Sequence, residues 1–133
     1  MSKLRNVNLD VANFAMSCVE EAKEDKDYKS LVKKMPTLIQ KNGFIATLVF
    51  NLSKVNKMHH KKVLINIIEW NEQNCKINKF LSKNIISDKD KEMIKEYIEW
   101  VTNLEPVQYR LITKEMMNLF GWIKRFADGM IDN

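Results

Sequence analysis

The stretch PVQYRLITKEMMNLFGWIKRFADGM, residues 106–130, decides the fold of this 133-residue chain. Its apolar side chains recur at intervals of three and four from Tyr109 to Met130, the spacing of one face of an α-helix. Pro106 suits the first position of a helix, where no hydrogen-bonded N–H is required. About 25 residues rising 1.5 Å each make a helix of roughly 37 Å, which is long for so small a protein. The sequence therefore predicts a long C-terminal helix.

The same spacing runs through most of the chain before Pro106 and predicts further helices. The first four have approximate limits of 8–26, 27–41, 44–55 and 58–73. A helical turn is predicted at 77–81, and a further helix begins with a cap at Ser87 and Asp88 and continues to Leu104. Pro36 lies inside the second of these helices and predicts a kink or a split. Asn42-Gly43 predicts the end of that helix, with Gly43 in the left-handed conformation.

Two segments are predicted to form the centre of the core. Residues 44–55 are apolar on almost every side, which is typical of either a buried strand or a buried helix. Because no partner strand is evident elsewhere, we predict a buried central helix. In the C-terminal helix we expect a buried cluster of Tyr109, Met116, Phe120, Ile123 and Phe126.

The composition narrows the fold class. The chain contains three Gly and two Pro, too few for the tight turns of a β-sandwich or barrel. It has no glycine-rich phosphate-binding loop, which excludes the cofactor enzymes built on such loops. We predict an all-α fold, a single compact bundle of about six helices formed by residues 1–133 as one domain. The start of the chain lacks a signal peptide and no apolar run could span a membrane, which predicts a cytoplasmic protein.

The net charge of +5 is distributed unevenly along the chain. Residues 28–68 contain eight lysines and no acidic residue: Lys29, Lys33, Lys34, Lys41, Lys54, Lys57, Lys61 and Lys62. The C-terminal helix adds four cations that share one arc of about 100°, diluted by Asp128: Arg110, Lys114, Lys124 and Arg125. A polyanion lying against these surfaces would relieve their self-repulsion, whereas the alternative is a lysine-rich face that is only solvated. The twelve cations are our candidate nucleic-acid-binding residues.

Catalytic and metal-binding patterns are missing from the sequence. His59 and His60 are adjacent, so on a helix they point about 100° apart and cannot clamp one metal ion as an i, i+4 pair can. Asp88-Lys89-Asp90 lacks the Gly and the distal Glu of a calcium loop. We therefore predict no catalytic residues, no cofactor and no metal site.

Two stretches of the chain resemble a known family. They are YKSLVKKMPTLIQKNGFIATLVF, residues 28–50, and YRLITKEMMNLFGWIKRFADGM, residues 109–130. Together they resemble the small subunit of the Cmr complex, the type III-B CRISPR-Cas effector that targets RNA. The shared features are Tyr28, Pro36, Asn42-Gly43, Tyr109-Arg110, Thr113 with Glu115, and Trp122 with Lys124-Arg125-Phe126. The matched blocks cover about a third of the chain.

The resemblance implies an all-α subunit without catalytic activity that serves antiviral defence. It implies a filament of stacked copies beside the guide-RNA backbone of the complex, with a basic surface lining the groove for target RNA. The implied partners are other Cmr subunits, further copies of this chain, guide RNA and target RNA, with no membrane and no small-molecule substrate. Arg110, Lys124 and Arg125 occupy the family's most recognisable basic positions, and Lys34 and Lys41 fall in its lysine-rich block.

Three alternatives remain open from the sequence. The first is a helical protein-interaction module whose lysines are only solvated. The second is a small hydrolase or nuclease whose catalytic partners meet only in space. The third is the small helical subunit of the related type III-A complex, which would share the biochemistry.

Overall fold

A computed structural model describes residues 7–74 and 90–132, and these form six helices with no β-strand among them. The helices are α1 (Val7–Glu21), α2 (Lys26–Asn42), α3 (Phe44–Ser53), α4 (Met58–Asn74), α5 (Asp90–Thr102) and α6 (Pro106–Met130). The predicted all-α fold with a long C-terminal helix is confirmed. The predicted helical turn at 77–81 and the cap at Ser87 and Asp88 lie outside the described residues.

The core forms around α6, which packs along both α1 and α2. Met116, Phe120 and Ile123 on its inner face are fully buried. α2 also contacts α3 and α4, and α5 packs against α3 and α4. Tyr109 and Phe126 are only partly buried, which corrects the predicted cluster. They lie near the two ends of α6, where fewer neighbouring helices cover the apolar stripe.

The first interhelical turn falls earlier than predicted. α1 ends at Glu21, and Asp25 caps the start of α2 by accepting a 2.9 Å hydrogen bond from the backbone N–H of Tyr28. This carboxylate satisfies a donor that the first turn of a helix would otherwise leave unpaired. Residues 22–25 therefore form a turn instead of continuing α1.

α2 continues through Pro36 to Asn42, so the predicted split does not occur. Met35 and Ile39, on either side of the proline, are buried in the core and hold the helix in place. Gly43 has the predicted positive φ of 92°, but its ψ of 160° lies outside the left-handed helical region. The reason is that Gly43 ends α2 and also precedes the first residue of α3, a position that favours an extended ψ.

The helix α3 is buried on one side only, which corrects the prediction of burial all round. Phe44 and Leu48 face the core, whereas Val49 and Phe50 are 48% and 38% exposed. The helix also ends at Ser53, two residues before Val55. The physical reason is that α2, α4 and α5 cover one face of α3 and leave the other at the surface.

Buried side-chain hydrogen bonds connect α4 to its neighbours. The hydroxyl of Tyr28 on α2 donates to Oδ1 of Asn66 at 2.7 Å, and Nδ2 of Asn71 donates to the hydroxyl of Tyr97 on α5 at 2.8 Å. Buried polar groups of this kind are costly unless they are paired, so these bonds favour one register of α4 over others.

We expect Phe120→Ala to lower the free energy of unfolding by about 3–5 kcal/mol, because it removes a fully buried ring and leaves a cavity. Phe126→Ala is the matched control on the same helix and should cost clearly less, because its ring is only partly buried. Urea denaturation monitored by circular dichroism measures both. Equal losses for the two variants would contradict the placement of Phe120 at the centre of the core.

Candidate nucleic-acid interface

The first turn of α6 meets the junction of α2 and α3. The backbone N–H of Ile45, at the start of α3, donates to the hydroxyl of Tyr109 at 3.1 Å. The same hydroxyl would lie 3.7 Å from a Cβ on Gly43. Gly43 and Tyr109, 66 positions apart in the chain, are therefore neighbours in the fold, next to the Ile45–Tyr109 hydrogen bond. This contact places Arg110, the next residue of α6, close to the C-terminal end of α2.

The far end of α6 lies beside the first half of α2. Nζ of Lys33 forms a 3.2 Å ion pair with Oδ1 of Asp128, and both side chains are about half exposed. α2 and α6 therefore run antiparallel, and Asp128 lies on the cationic arc predicted for α6. The four cations of that arc are all exposed: Arg110, Lys114, Lys124 and Arg125. The guanidinium carbon of Arg125 lies 4.9 Å from the ring centre of Trp122, and this cation–π contact orients it.

A second group of cations surrounds the start of α4. Lys34 from α2, with Lys54 and Lys57 from the turn after α3, acts electrostatically on His60. His60 is buried, and its Nδ1 lies 2.8 Å from Oδ1 of Asn51. Nδ2 of Asn51 donates to the carbonyl of Thr47 at 2.9 Å, so Oδ1 is the acceptor and Nδ1 carries the proton. Burial, followed by His59 and the three lysines, lowers the pKa of His60 to about 4.

Four of the predicted lysines are engaged within the protein. Lys29 is buried and donates to the backbone carbonyl of Ile131 at 2.7 Å, so it does not lie on the exposed face predicted for it. Lys61 pairs with Asp90 at 2.8 Å and Lys62 with Asp25 at 3.4 Å, besides the Lys33 pair. The three aspartates lie outside residues 28–68. The segment itself contains no acidic residue, but the fold brings acidic side chains from other segments to its lysines.

Eight of the predicted cations are exposed and form no ion pair within residues 7–74 and 90–132. They are Lys34, Lys41, Lys54, Lys57, Arg110, Lys114, Lys124 and Arg125. Contacts described above connect the three elements that carry them, namely α6, α2 and the turn after α3. We call these eight residues the basic surface.

Sequence reasoning missed the polar group beneath this surface. Asn51 and His60 are buried, whereas from the sequence His59 and His60 were considered only as a metal-binding pair and excluded as one. A buried Asn in an apolar run followed by a His nine positions later was the available signal.

In the described parts of the chain, no three His, Cys, Asp or Glu side chains are grouped to hold a metal ion. None of the described helices is long and apolar enough to cross a membrane.

An all-α bundle with a cationic face assembled from α2, α6 and the turn after α3 is the class of protein that these observations define. The sequence model for the family described as CRISPR-associated protein (Cas_Cmr5) matches residues 7–130. The chain therefore belongs to the Cas_Cmr5 family and is a small subunit of the Cmr, type III-B complex. Membership in this family implies that the chain works with other subunits of that complex. The alternative of a type III-A subunit is therefore set aside.

A solved structure supports the fold. The chain is similar to a CRISPR-associated Cmr5 family protein from Thermus thermophilus, whose structure was determined by X-ray crystallography. The two are 23% identical, with a TM-score of 0.72, over 97% of this chain and 100% of the other. At this identity the likeness shows a shared fold.

The buried His60 predicts a pH dependence of stability. Its pKa is about 4 when folded and about 6.5 when unfolded, so between these values the unfolded chain binds a proton that the folded chain does not. The free energy of unfolding should therefore fall as the pH is lowered from about 6.5 to 4, by up to about 1.4 kcal/mol per pH unit. The His60→Gln variant should lose this fall in the free energy of unfolding, whereas the His59→Gln variant should keep it. Urea titrations at several pH values measure the difference, and parallel pH profiles for all three proteins would contradict it.

Proposed function

We propose that this chain is a non-catalytic scaffold subunit of the type III-B effector that helps to hold target RNA on its basic surface. The observation that carries the proposal is the gathering, on connected elements, of eight exposed cations without ion pairs among the described residues. Their positive potential attracts a polyanion, and each phosphate contact releases counterions. The proposed role is part of antiviral defence in the cytoplasm, and residues 1–133 act as one domain.

The chemistry of the basic surface suits the RNA backbone. Six of its eight residues are lysines, which act as point charges toward phosphate, whereas Arg110 and Arg125 offer a bidentate grip. In a guided complex, pairing with the guide RNA reads the sequence, and protein contacts go to sugar and phosphate. A subunit of this kind does not need to recognise individual bases and needs no catalytic centre of its own.

We further propose that copies of the chain stack in a filament beside the guide-RNA backbone. The turn after α1 and the end of that helix carry exposed acids, among them Glu20, Glu21 and Glu24, which complement the basic surface of another copy. A head-to-tail contact is heterologous and can extend without closing. Exposed charges of this kind act more on association rate and register than on affinity.

A second candidate is a protein-interaction module whose cations bind carboxylates of a neighbouring subunit. The ion pairs of Lys33, Lys61 and Lys62 favour it, because they show lysines of the same segment already neutralised by aspartates. The double variant described next distinguishes the two candidates.

Changing Lys124 and Arg125 together to Ala should weaken binding of all RNA sequences alike. We expect the log–log dependence of affinity on salt to become shallower by roughly 1–1.5 units, at about 0.7 per single-strand phosphate. Lys91→Ala with Lys95→Ala on α5 is the matched control, because it removes the same charge from two exposed sites outside the basic surface. Filter binding of the isolated chain at several salt concentrations measures the slopes. Normal RNA binding combined with loss from the assembled complex would support the protein-interaction candidate instead.

The isolated chain should be largely monomeric and stack only on the assembled complex. The complementary surfaces are exposed and charged, and exposed ion pairs contribute little free energy each. Sedimentation velocity at low and high salt tests this expectation. A tight oligomer that persists at high salt would contradict it.

A further inference from the structure

An exposed aromatic ring lies within the basic surface. Phe50, near the end of α3, is 38% exposed. The ring stands among lysines that cover it only in part, so some of its apolar surface remains in water. It marks a place where a ligand with both flat apolar and anionic parts would gain from binding.

The ring of Phe50 is supported from beneath by a fixed partner. His60 packs against it at 5.5 Å between ring centres, with the planes at 75°. His60 is itself buried and bonded to Asn51, whose amide is tied to the backbone of α3. The edge-to-face contact therefore holds Phe50 in place while leaving part of its surface open. A ring held in position loses little conformational freedom when it binds a ligand.

Lysines act on both members of the Phe50–His60 ring pair. Nζ of Lys54 lies 5.8 Å from the ring centre, and Lys34 and Lys57 act on the adjacent His60. None of these three lysines forms an ion pair among the described residues. An aromatic face beside such ammonium groups matches one nucleotide unit of a single strand, in which a base stacks and its phosphate binds lysine.

We propose that Phe50 is a stacking platform for one base of single-stranded RNA, and that Lys54 turns from the ring to a flanking phosphate when the base arrives. This inference rests on the proposed function and deepens it from backbone contact alone to contact with a base. An exposed cation–π contact is weak compared with base–aromatic stacking, so exchanging one for the other is favourable. Stacking tolerates any base, which suits a subunit that leaves sequence reading to the guide.

The experiment compares two ligands of equal length, a 12-nucleotide oligouridylate and an abasic ribose-phosphate oligomer, each binding the full chain. Phe50→Ala and Phe50→Leu should weaken binding of the oligouridylate by about tenfold at fixed salt, while the salt slope stays unchanged. Binding of the abasic oligomer should not change, because it has no base to stack. Phe50→Trp should retain affinity, and Val49→Ala is the matched control that removes an exposed apolar side chain of the same helix. Circular dichroism verifies that each variant is folded.

Three outcomes would overturn the inference. Wild-type affinity in Phe50→Leu would mean that the aromatic face has no role. An equal loss of affinity for the abasic oligomer would mean that the ring only positions lysines. Normal RNA binding with loss from the assembled Cmr complex would make Phe50 a protein contact. If the wild-type chain itself shows no salt-dependent RNA affinity, the proposed function fails, whereas a steep slope that is indifferent to Phe50 rejects this inference alone.

Discussion

Burial of one face of α6 between α1 and α2 is the interaction on which the rest of the structure depends. Met116, Phe120 and Ile123 lose all contact with water there, and each such side chain contributes on the order of 2 kcal/mol through burial of apolar area. Because α6 buries its apolar face, its charged side chains are left on the face turned toward water. In α6 that outer face carries Arg110, Lys114, Lys124 and Arg125, so core packing also orients the cations.

A few polar contacts set the exact placement of the helices around α6. The hydroxyl of Tyr109 accepts the N–H of Ile45, one of the donors that the first turn of α3 leaves without an intrahelical partner. Lys29, buried against the carbonyl of Ile131, ties the start of α2 to the end of α6. Both contacts join residues far apart in the chain, and together they keep α2 alongside α6 over much of its length. The basic surface exists because of this alignment.

The basic surface also illustrates how far sequence reasoning reaches. The arc on α6 was predictable, because four cations at helical spacing on one amphipathic helix must share a face. The lysines of residues 28–68 were harder, because ion pairing depends on residues brought from elsewhere. Asp25, Asp90 and Asp128 neutralise Lys62, Lys61 and Lys33, and none of these pairs has a local signal in the sequence. The pair of Asn51 and His60 had a local signal, but the face of α3 that is buried depends on how α2, α4 and α5 pack against it.

The sequence by itself determined the all-α class, the long helix from Pro106 and the positive φ of Gly43, because local periodicity and backbone sterics control these features. The two blocks of residues 28–50 and 109–130 also sufficed to indicate the family. Only the tertiary structure decided which of the described lysines are paired with acids, that α3 exposes Phe50, and that α2 passes through Pro36 without a split. These outcomes depend on packing and on charges from distant segments, and a linear pattern contains neither.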